Sequence, residues 1–304
     1  MSAEGDTRGT FRRLGWVIVV LAAAACAGVA AQMAETTPPT GEAPAGPAAD
    51  EQLLPGVEVP APTTATWQMP DADQREPPFP YLAGEDRTVS RSIGNVSHGY
   101  LVESKRVRQP HPHLAMLPVQ YQRGLQFTSD QMLALLEAAA AHVASEHDGT
   151  VTRLGNLSAQ GGGDIPYSVS HNSGRDADVA FFVRDEQGRV VVPDDLVPLD
   201  EEGRFEDEQG RVYTFDVERS WTFIEGLVRA SDDQIQYIFV SRPLRRMLLE
   251  HARKQGASRR VIRRAARLLE QPGGSLPHND HFHIRIYCSE RDVRSGCEDF
   301  GRRL

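Results

Sequence analysis

Regular patterns of hydrophobic and polar positions begin only near residue 90, and from there the chain switches between strand and helix periods. Ser92 to Leu101 reads as short strands and turns, and Leu114 to Tyr121 as an extended stretch broken at Pro118. Leu133, Leu135, Leu136 and Ala140 then recur at helical spacing behind a Thr128-Ser129-Asp130 cap, which predicts a helix to about His147. Three more helices follow: one capped by Asp216 through Trp221, Phe223, Ile224, Leu227 and Val228, one opened by Pro243 from Leu244 to about Lys254, and one capped by Ser258 through Val261, Ile262, Ala265, Leu268 and Leu269. Thr150 to Leu154, Val179 to Val183 and Ile235 to Val240 are β-prone, the last placed centrally in a sheet. A short duplication, Asp185-Glu186-Gln187-Gly188-Arg189-Val190 and Asp207-Glu208-Gln209-Gly210-Arg211-Val212, predicts two hairpin tips. The class implied is α+β: a central, mostly antiparallel sheet flanked by helices, with many loops.

Two polar stretches run directly into strands. In the first, Ser170-His171-Asn172-Ser173-Gly174-Arg175-Asp176-Ala177-Asp178 leads into Val179. Asp176 and Asp178 are two apart and share a strand face, and Gly174 allows a bend that returns His171 over that face. In the second, His278-Asn279-Asp280-His281-Phe282-His283 leads into Ile284 and Ile286. His281 and His283 share one face, while Phe282, Ile284 and Ile286 share the other. If the two strands are neighbours, His171, Asp178 and His283 meet on one face as ligands for Zn²⁺, with a position open for water. His281 is then the first candidate for proton transfer and His278 the second, since both lie at the metal's open side. Asp176 is expected to orient His171 or another ligand, or to serve as a plain hydrogen-bonding residue.

The joint wording, His171 to Asp178 followed by His278-Asn279-Asp280-His281-Phe282-His283, resembles the penicillin-insensitive murein endopeptidases, within the wider group of zinc D-alanyl-D-alanine peptidases. The upstream run Gly155 to Ile165 is similar to the same branch, and the resemblance covers roughly residues 90–300. It implies a zinc metallopeptidase domain, expected over residues 88–304, whose substrate is the peptide cross-link of peptidoglycan, cut between D-alanine and the side-chain amine of diaminopimelate. It implies catalysis or transition-state stabilisation by His281 and His278 without dividing the roles. A D,D-carboxypeptidase or dipeptidase of the same superfamily is the alternative, and a non-catalytic wall-binding module that keeps the metal is the third reading. The chain has neither the Ser-x-x-Lys of serine acyl-enzymes nor the His-Glu-x-x-His helix of common metallopeptidases.

Composition changes this picture at the N-terminus. Arg8, Arg12 and Arg13 precede an apolar, Ala-rich run from Leu14 to Ala31, which reads as an export segment over residues 1–31. Val29-Ala30-Ala31 suits cleavage, Cys26 suits lipid attachment, and the run is near the lower limit for an uncleaved anchor, so release and membrane tethering stay open. Residues 32–87 are rich in Pro, Ala, Thr and acidic groups, with no periodic apolar face, and are expected to be a disordered linker. The expected location is the periplasm or cell envelope. Cys288 and Cys297 are then expected to be disulfide-bonded, bracing the histidine strand. A formal net charge of −9 argues against a general nucleic-acid partner. Arg259, Arg260, Arg263, Arg264 and Arg267 form a basic helix face, either plainly solvated or attracted to an anionic wall polymer. Gly161-Gly162-Gly163 lacks a phosphate-binding signature and is expected to be a mobile cleft wall; His98, His142 and His147 are expected to be structural.

Overall fold

The computed structural model describes residue 84, residues 86–273 and residues 276–301. The expected export segment lies outside the described residues, as does nearly all of the linker. The chain enters through a hairpin, β1 (Arg91–Gly94) and β2 (Gly99–Val102), then β3 (Lys105–Arg106), β4 (Leu114–Met116), α1 (Pro118–Gln122), β5 (Phe127–Thr128) and α2 (Asp130–Glu146). After β6 (Thr152–Leu154) and β7 (Asp176–Ala180) come β8 (Val183–Arg184), β9 (Val190–Val191), β10 (Arg204–Glu206) and β11 (Val212–Phe215). Next are α3 (Val217–Ala230), β12 (Ile235–Phe239), α4 (Arg242–Lys254), α5 (Arg259–Leu268), β13 (Leu269–Glu270), β14 (His281–Ile286) and α6 (Glu290–Arg294).

Six strands form the central sheet in the order β13-β12-β14-β7-β6-β4. The three inner ladders are antiparallel and the two outer ones parallel. Parallel neighbours need long crossovers, and each outer pair has one: α1 and α2 lie between β4 and β6, and α4 and α5 between β12 and β13. The mostly antiparallel α+β sheet expected from sequence is therefore present, with parallel edges. β12 is buried at all five positions but sits second from an edge, because the two-residue β13 pairs outside it.

One face of this sheet is apolar. Ala177, Val179, Phe282, Ile284 and Ile286 are all buried there by the strand alternation. Phe282 stacks on Phe223 of α3, with ring centroids 6.3 Å apart. Each of the larger of these, Val179, Phe282, Ile284 and Ile286, contributes roughly 1.5–3 kcal/mol through burial. Gly226 lets α3 approach α2: a Cβ there would lie 3.1 Å from the Ala139 Cα and the His142 Cβ. Ser129 caps α2 by accepting the Met132 N–H at 3.3 Å, and Asp216 caps α3 by accepting that of Arg219 at 3.3 Å. Ser258 precedes α5 without making the expected side-chain cap. Leu114 to Tyr121 is extended only as far as Leu117; Pro118 opens α1, because its fixed φ and missing N–H suit a first helical turn.

The duplicated tips close β8 on β9 and β10 on β11. In each, the aspartate folds back: Asp185 Oδ1 accepts from the Gln187 and Arg189 N–H groups, and Asp207 Oδ1 from those of Gln209 and Arg211. A third tip, Asp200-Glu201-Glu202-Gly203-Arg204, repeats the bonding, and Glu202 in place of glutamine hides it in the sequence. Cys288 and Cys297 form a disulfide with their Cα atoms 6.0 Å apart, and Gly94 pairs with Gly296 and Glu298 beside it.

Candidate metal centre

The site occupies the opposite, polar face of the same sheet. Register places His283 across from Asp178, and Arg285 across from Asp176. On the other side of β14, Phe239 faces His283 and Tyr237 faces Arg285. His171 reaches this face from the loop before β7. Its φ of +74° is unusual for a residue with a Cβ, and the loop holds it there. The Gly174 N–H donates to Ser158 Oγ, and the Gly174 carbonyl accepts from Thr128 Oγ1 and the Ser129 N–H. At Gly174, φ +73°, an added Cβ would meet Leu101 Cδ2 at 2.5 Å, so the bend requires glycine.

Three imidazole nitrogens surround a single oxygen. From Asp178 Oδ1, His283 Nδ1 is 3.2 Å away, His281 Nε2 3.3 Å and His171 Nε2 3.4 Å. Asp178 Oδ1 and both ring nitrogens of His171 are buried without a hydrogen-bond partner. Buried polar atoms are rarely left so. Donors around a tetrahedral zinc with bonds of about 2.0–2.1 Å stand about 3.3–3.4 Å apart. The spacing, the burial and the neutral-imidazole, carboxylate donor set all fit a divalent metal. Two overlapping donor groups exist among the described residues, His171–Asp178–His283 and His278–His281–His283. The first is fully buried and carries the carboxylate that offsets the metal's charge; the second is partly exposed and has no carboxylate.

Neighbouring contacts choose which atom each side chain turns inward. Asp176 Oδ1, an acceptor when ionised, lies 2.8 Å from His283 Nε2 and so fixes the proton there, leaving Nδ1 toward Asp178. Arg285 Nε donates to the same oxygen at 2.6 Å. Asp176 thus orients His283, not His171. Burial favours its neutral form, but Arg285 and His283 outweigh burial and hold the carboxyl below its usual range. Burial likewise opposes ionisation of Asp178, and His281 and His171 overcome it. Asn156 Nδ2 donates to Asp178 Oδ2 at 3.0 Å, leaving Oδ1 inward. Asp280 Oδ1 sits 2.6 Å from His281 Nδ1, which turns Nε2 to the site. Burial pulls the His281 pKa down, yet Asp178 and Asp280 raise it overall. Burial, with His283 and His281 beside it, pushes His278 down to about 2, so its ring is neutral.

All five site residues singled out from sequence, His171, Asp178, His278, His281 and His283, lie in one cluster: His278 is 5.4 Å from His281 and 5.7 Å from His283 by ring centroid. Asn156, Asp280, Arg285 and Arg175 were not singled out. Arg175 is buried, donating to the carbonyls of Ile286 and Glu298 and pairing with Asp299. The Gly161 loop is a packed clamp, not a free wall: the Gly163 N–H bonds Asn172, and a Cβ on Gly162 would lie 2.1 Å from the Asn172 carbonyl oxygen.

Fold and site together define a candidate mononuclear metal centre on the open face of an α+β sheet. A family model described as penicillin-insensitive murein endopeptidase matches residues 92–300, and the chain belongs to that family of murein hydrolases. Among curated proteins none matches the chain.

Proposed function

We propose that the protein is a zinc-dependent endopeptidase of the bacterial cell envelope that cuts peptidoglycan cross-links between D-alanine and the side-chain amine of diaminopimelate. The observation that carries the zinc reading is the unpartnered, buried Asp178 Oδ1 ringed by three imidazole nitrogens at 3.2–3.4 Å. His171, Asp178 and His283 would hold the ion. When bound, zinc supplies a water of pKa near ~7 and polarises the scissile carbonyl.

The chain's own groups do the rest. Asp280 holds His281 by Nδ1, so Nε2 is free to take a proton from the attacking water and return it to the leaving amine. His278, neutral and packed against Phe239 at 5.4 Å, can donate or accept a hydrogen bond with substrate but carries no charge. Its backbone is fixed on both sides: its N–H donates to Gln271 Oε1 at 3.1 Å, and its carbonyl accepts from Ser241 at 2.7 Å. Asn279 is likewise tied to Leu199. The pair of histidines is therefore held in position before substrate arrives.

Purified sacculi test the reading. Zinc-loaded protein is expected to convert cross-linked muropeptide dimers to monomers, read by mass; EDTA is expected to stop this, zinc to restore it, and penicillin to leave it unchanged. Release of terminal D-alanine with cross-links intact would favour the carboxypeptidase alternative, and unaltered sacculi would refute an enzyme. Export, by a cleaved signal or a retained tether, is part of the proposal and is supported by the N-terminal sequence pattern.

A further inference from the structure

The segment from Arg242 to Glu270 carries ten arginines and lysines against two glutamates, in a chain whose net charge is −9. Folding concentrates them. Arg242, Arg246 and Arg253 are spaced i, i+4, i+11 on α4, so they form one stripe, and Arg260, Arg263 and Arg267 form another on α5. All six are exposed, and none has an ion-pair partner among the described residues. Between the helices runs a groove of about 600 Å³ lined by Arg242, Arg246, Arg253 and Arg267 over a floor that includes Leu249 and Leu269, with Glu270 its single acidic residue. Arg245 is spent inside it, donating to the Leu269 and Ala266 carbonyls at 2.7 and 2.8 Å and locking α4 to the end of α5. Gln271 also lines the groove, and it is the residue that accepts the His278 N–H. The groove and the histidine cluster therefore share a wall.

We propose that this groove binds the free carboxylates of peptidoglycan stem peptides flanking the cross-link under attack, an inference that rests on the function proposed above. Guanidinium groups match carboxylates in shape and charge. Along α4 the stripe sets Arg246 about 6 Å beyond Arg242 and Arg253 about 10 Å beyond Arg246, which suits a chain with acidic groups at intervals. A membrane surface fits less well: none of the large exposed apolar side chains lies on α4 or α5, so the face has nothing to insert between lipids.

The test uses the full-length protein stripped of metal with EDTA, so that binding is read without turnover, and purified sacculi as the probe. Co-sedimentation is expected to weaken as salt rises and to fall roughly tenfold in R242Q/R246Q/R267Q. Amidation of the sacculus carboxylates is expected to cause a similar loss for the parent. With zinc, the variant is expected to cut a small soluble cross-linked muropeptide at the parental rate while losing activity on sacculi. Variant binding as tight as the parent's, binding that survives amidation, or tighter binding to phosphatidylglycerol vesicles than to sacculi overturns the proposal. Sacculi that bind in the expected salt-dependent way but keep their cross-links with zinc present would refute the peptidase and leave the groove standing.

Discussion

Replacing Asp176 with alanine removes one fully buried carboxylate whose Oδ1 serves two cationic or protonated partners, Arg285 Nε at 2.6 Å and His283 Nε2 at 2.8 Å. Arg285 is itself only 4% exposed, so its guanidinium cannot exchange this carboxylate for water. Breaking a buried pair from one side costs about 3–5 kcal/mol. The Phe239 ring, 5.6 Å from the guanidinium, offsets little of that. Asp176→Ala is expected near ~3 kcal/mol in urea unfolding of the metal-free protein, and Asp176→Asn less. The second effect is on the metal: without the acceptor that fixes the Nε2 proton, His283 loses its orientation, and zinc affinity is expected to fall about 10–100-fold in Asp176→Ala, and less in Asp176→Asn, whose amide oxygen can still accept that proton. Competition against a chromophoric chelator measures it. The pH dependence has a definite sign. The folded pKa of Asp176 lies below its unfolded value, so its contribution is complete above the ordinary carboxylate range and is lost as pH falls through and below that range. The parent's advantage over Asp176→Asn should therefore shrink on acidification from about pH 5 downward. A stability loss under about 1 kcal/mol together with unchanged zinc affinity would refute the clamp.

At Gly155 an added Cβ would sit 2.8 Å from the Asp178 Cβ, on a backbone tied to Asp178 by a 2.8 Å hydrogen bond, so Gly155→Ala is expected to displace that carboxylate. Zinc affinity should drop by about tenfold or more, and an affinity matching the parent's would show that the two backbones separate freely. Cys288 and Cys297 are nine residues apart, for which chain entropy predicts about 2.7 kcal/mol. The double serine variant should melt roughly 5–10 °C lower, and identical melting with and without reductant in the parent would contradict this. His281→Ala is expected to retain its zinc, measured by atomic absorption, while turnover on sacculi falls about 10²–10⁴-fold. Loss of the metal instead would make His281 a ligand and vacate the role of base.

The parts of the site visible in sequence are those governed by local periodicity. His281 and His283 share a face because they are two apart, and Asp178 shares one with Asp176 for the same reason. The bend that returns His171 was legible from Gly174. What stayed hidden is set by partners far along the chain: Asn156 to Asp178, Asp176 to Arg285, and Arg175 to Ile286. No periodicity links residues 22 positions apart, as in the first pair, or more than a hundred, as in the other two. Asp280 was closer to hand, since a carboxylate beside a candidate base is a recognisable orienting group. The parallel edges of the sheet were hidden for a similar reason. The helical pattern between β12 and β13 was clear, but a two-residue strand such as Leu269–Glu270 has no pattern of its own. The α1 turn has no distinct signature in the sequence, because Pro118 stops an extended stretch and starts a helix with equal ease.

Residue identity alone does not make this site; register does. Sliding β14 by one residue against β7 would turn His283 to the apolar face and Phe282 or Ile284 to the polar one. Burial of Phe282, Ile284 and Ile286 resists that slip, but it would tolerate a slip of two, which preserves the faces and places His281 or Arg285 opposite Asp178. The contacts that exclude a two-residue slip are specific. The Ile286 N–H donates to the Arg175 carbonyl while Arg175 Nη1 donates to the Ile286 carbonyl, locking the end of β14 to the start of β7. The same guanidinium reaches Glu298 and Asp299, just past the Cys288–Cys297 loop. The disulfide and the buried arginine thus act on the metal centre from its far end, by fixing which histidine stands across from Asp178.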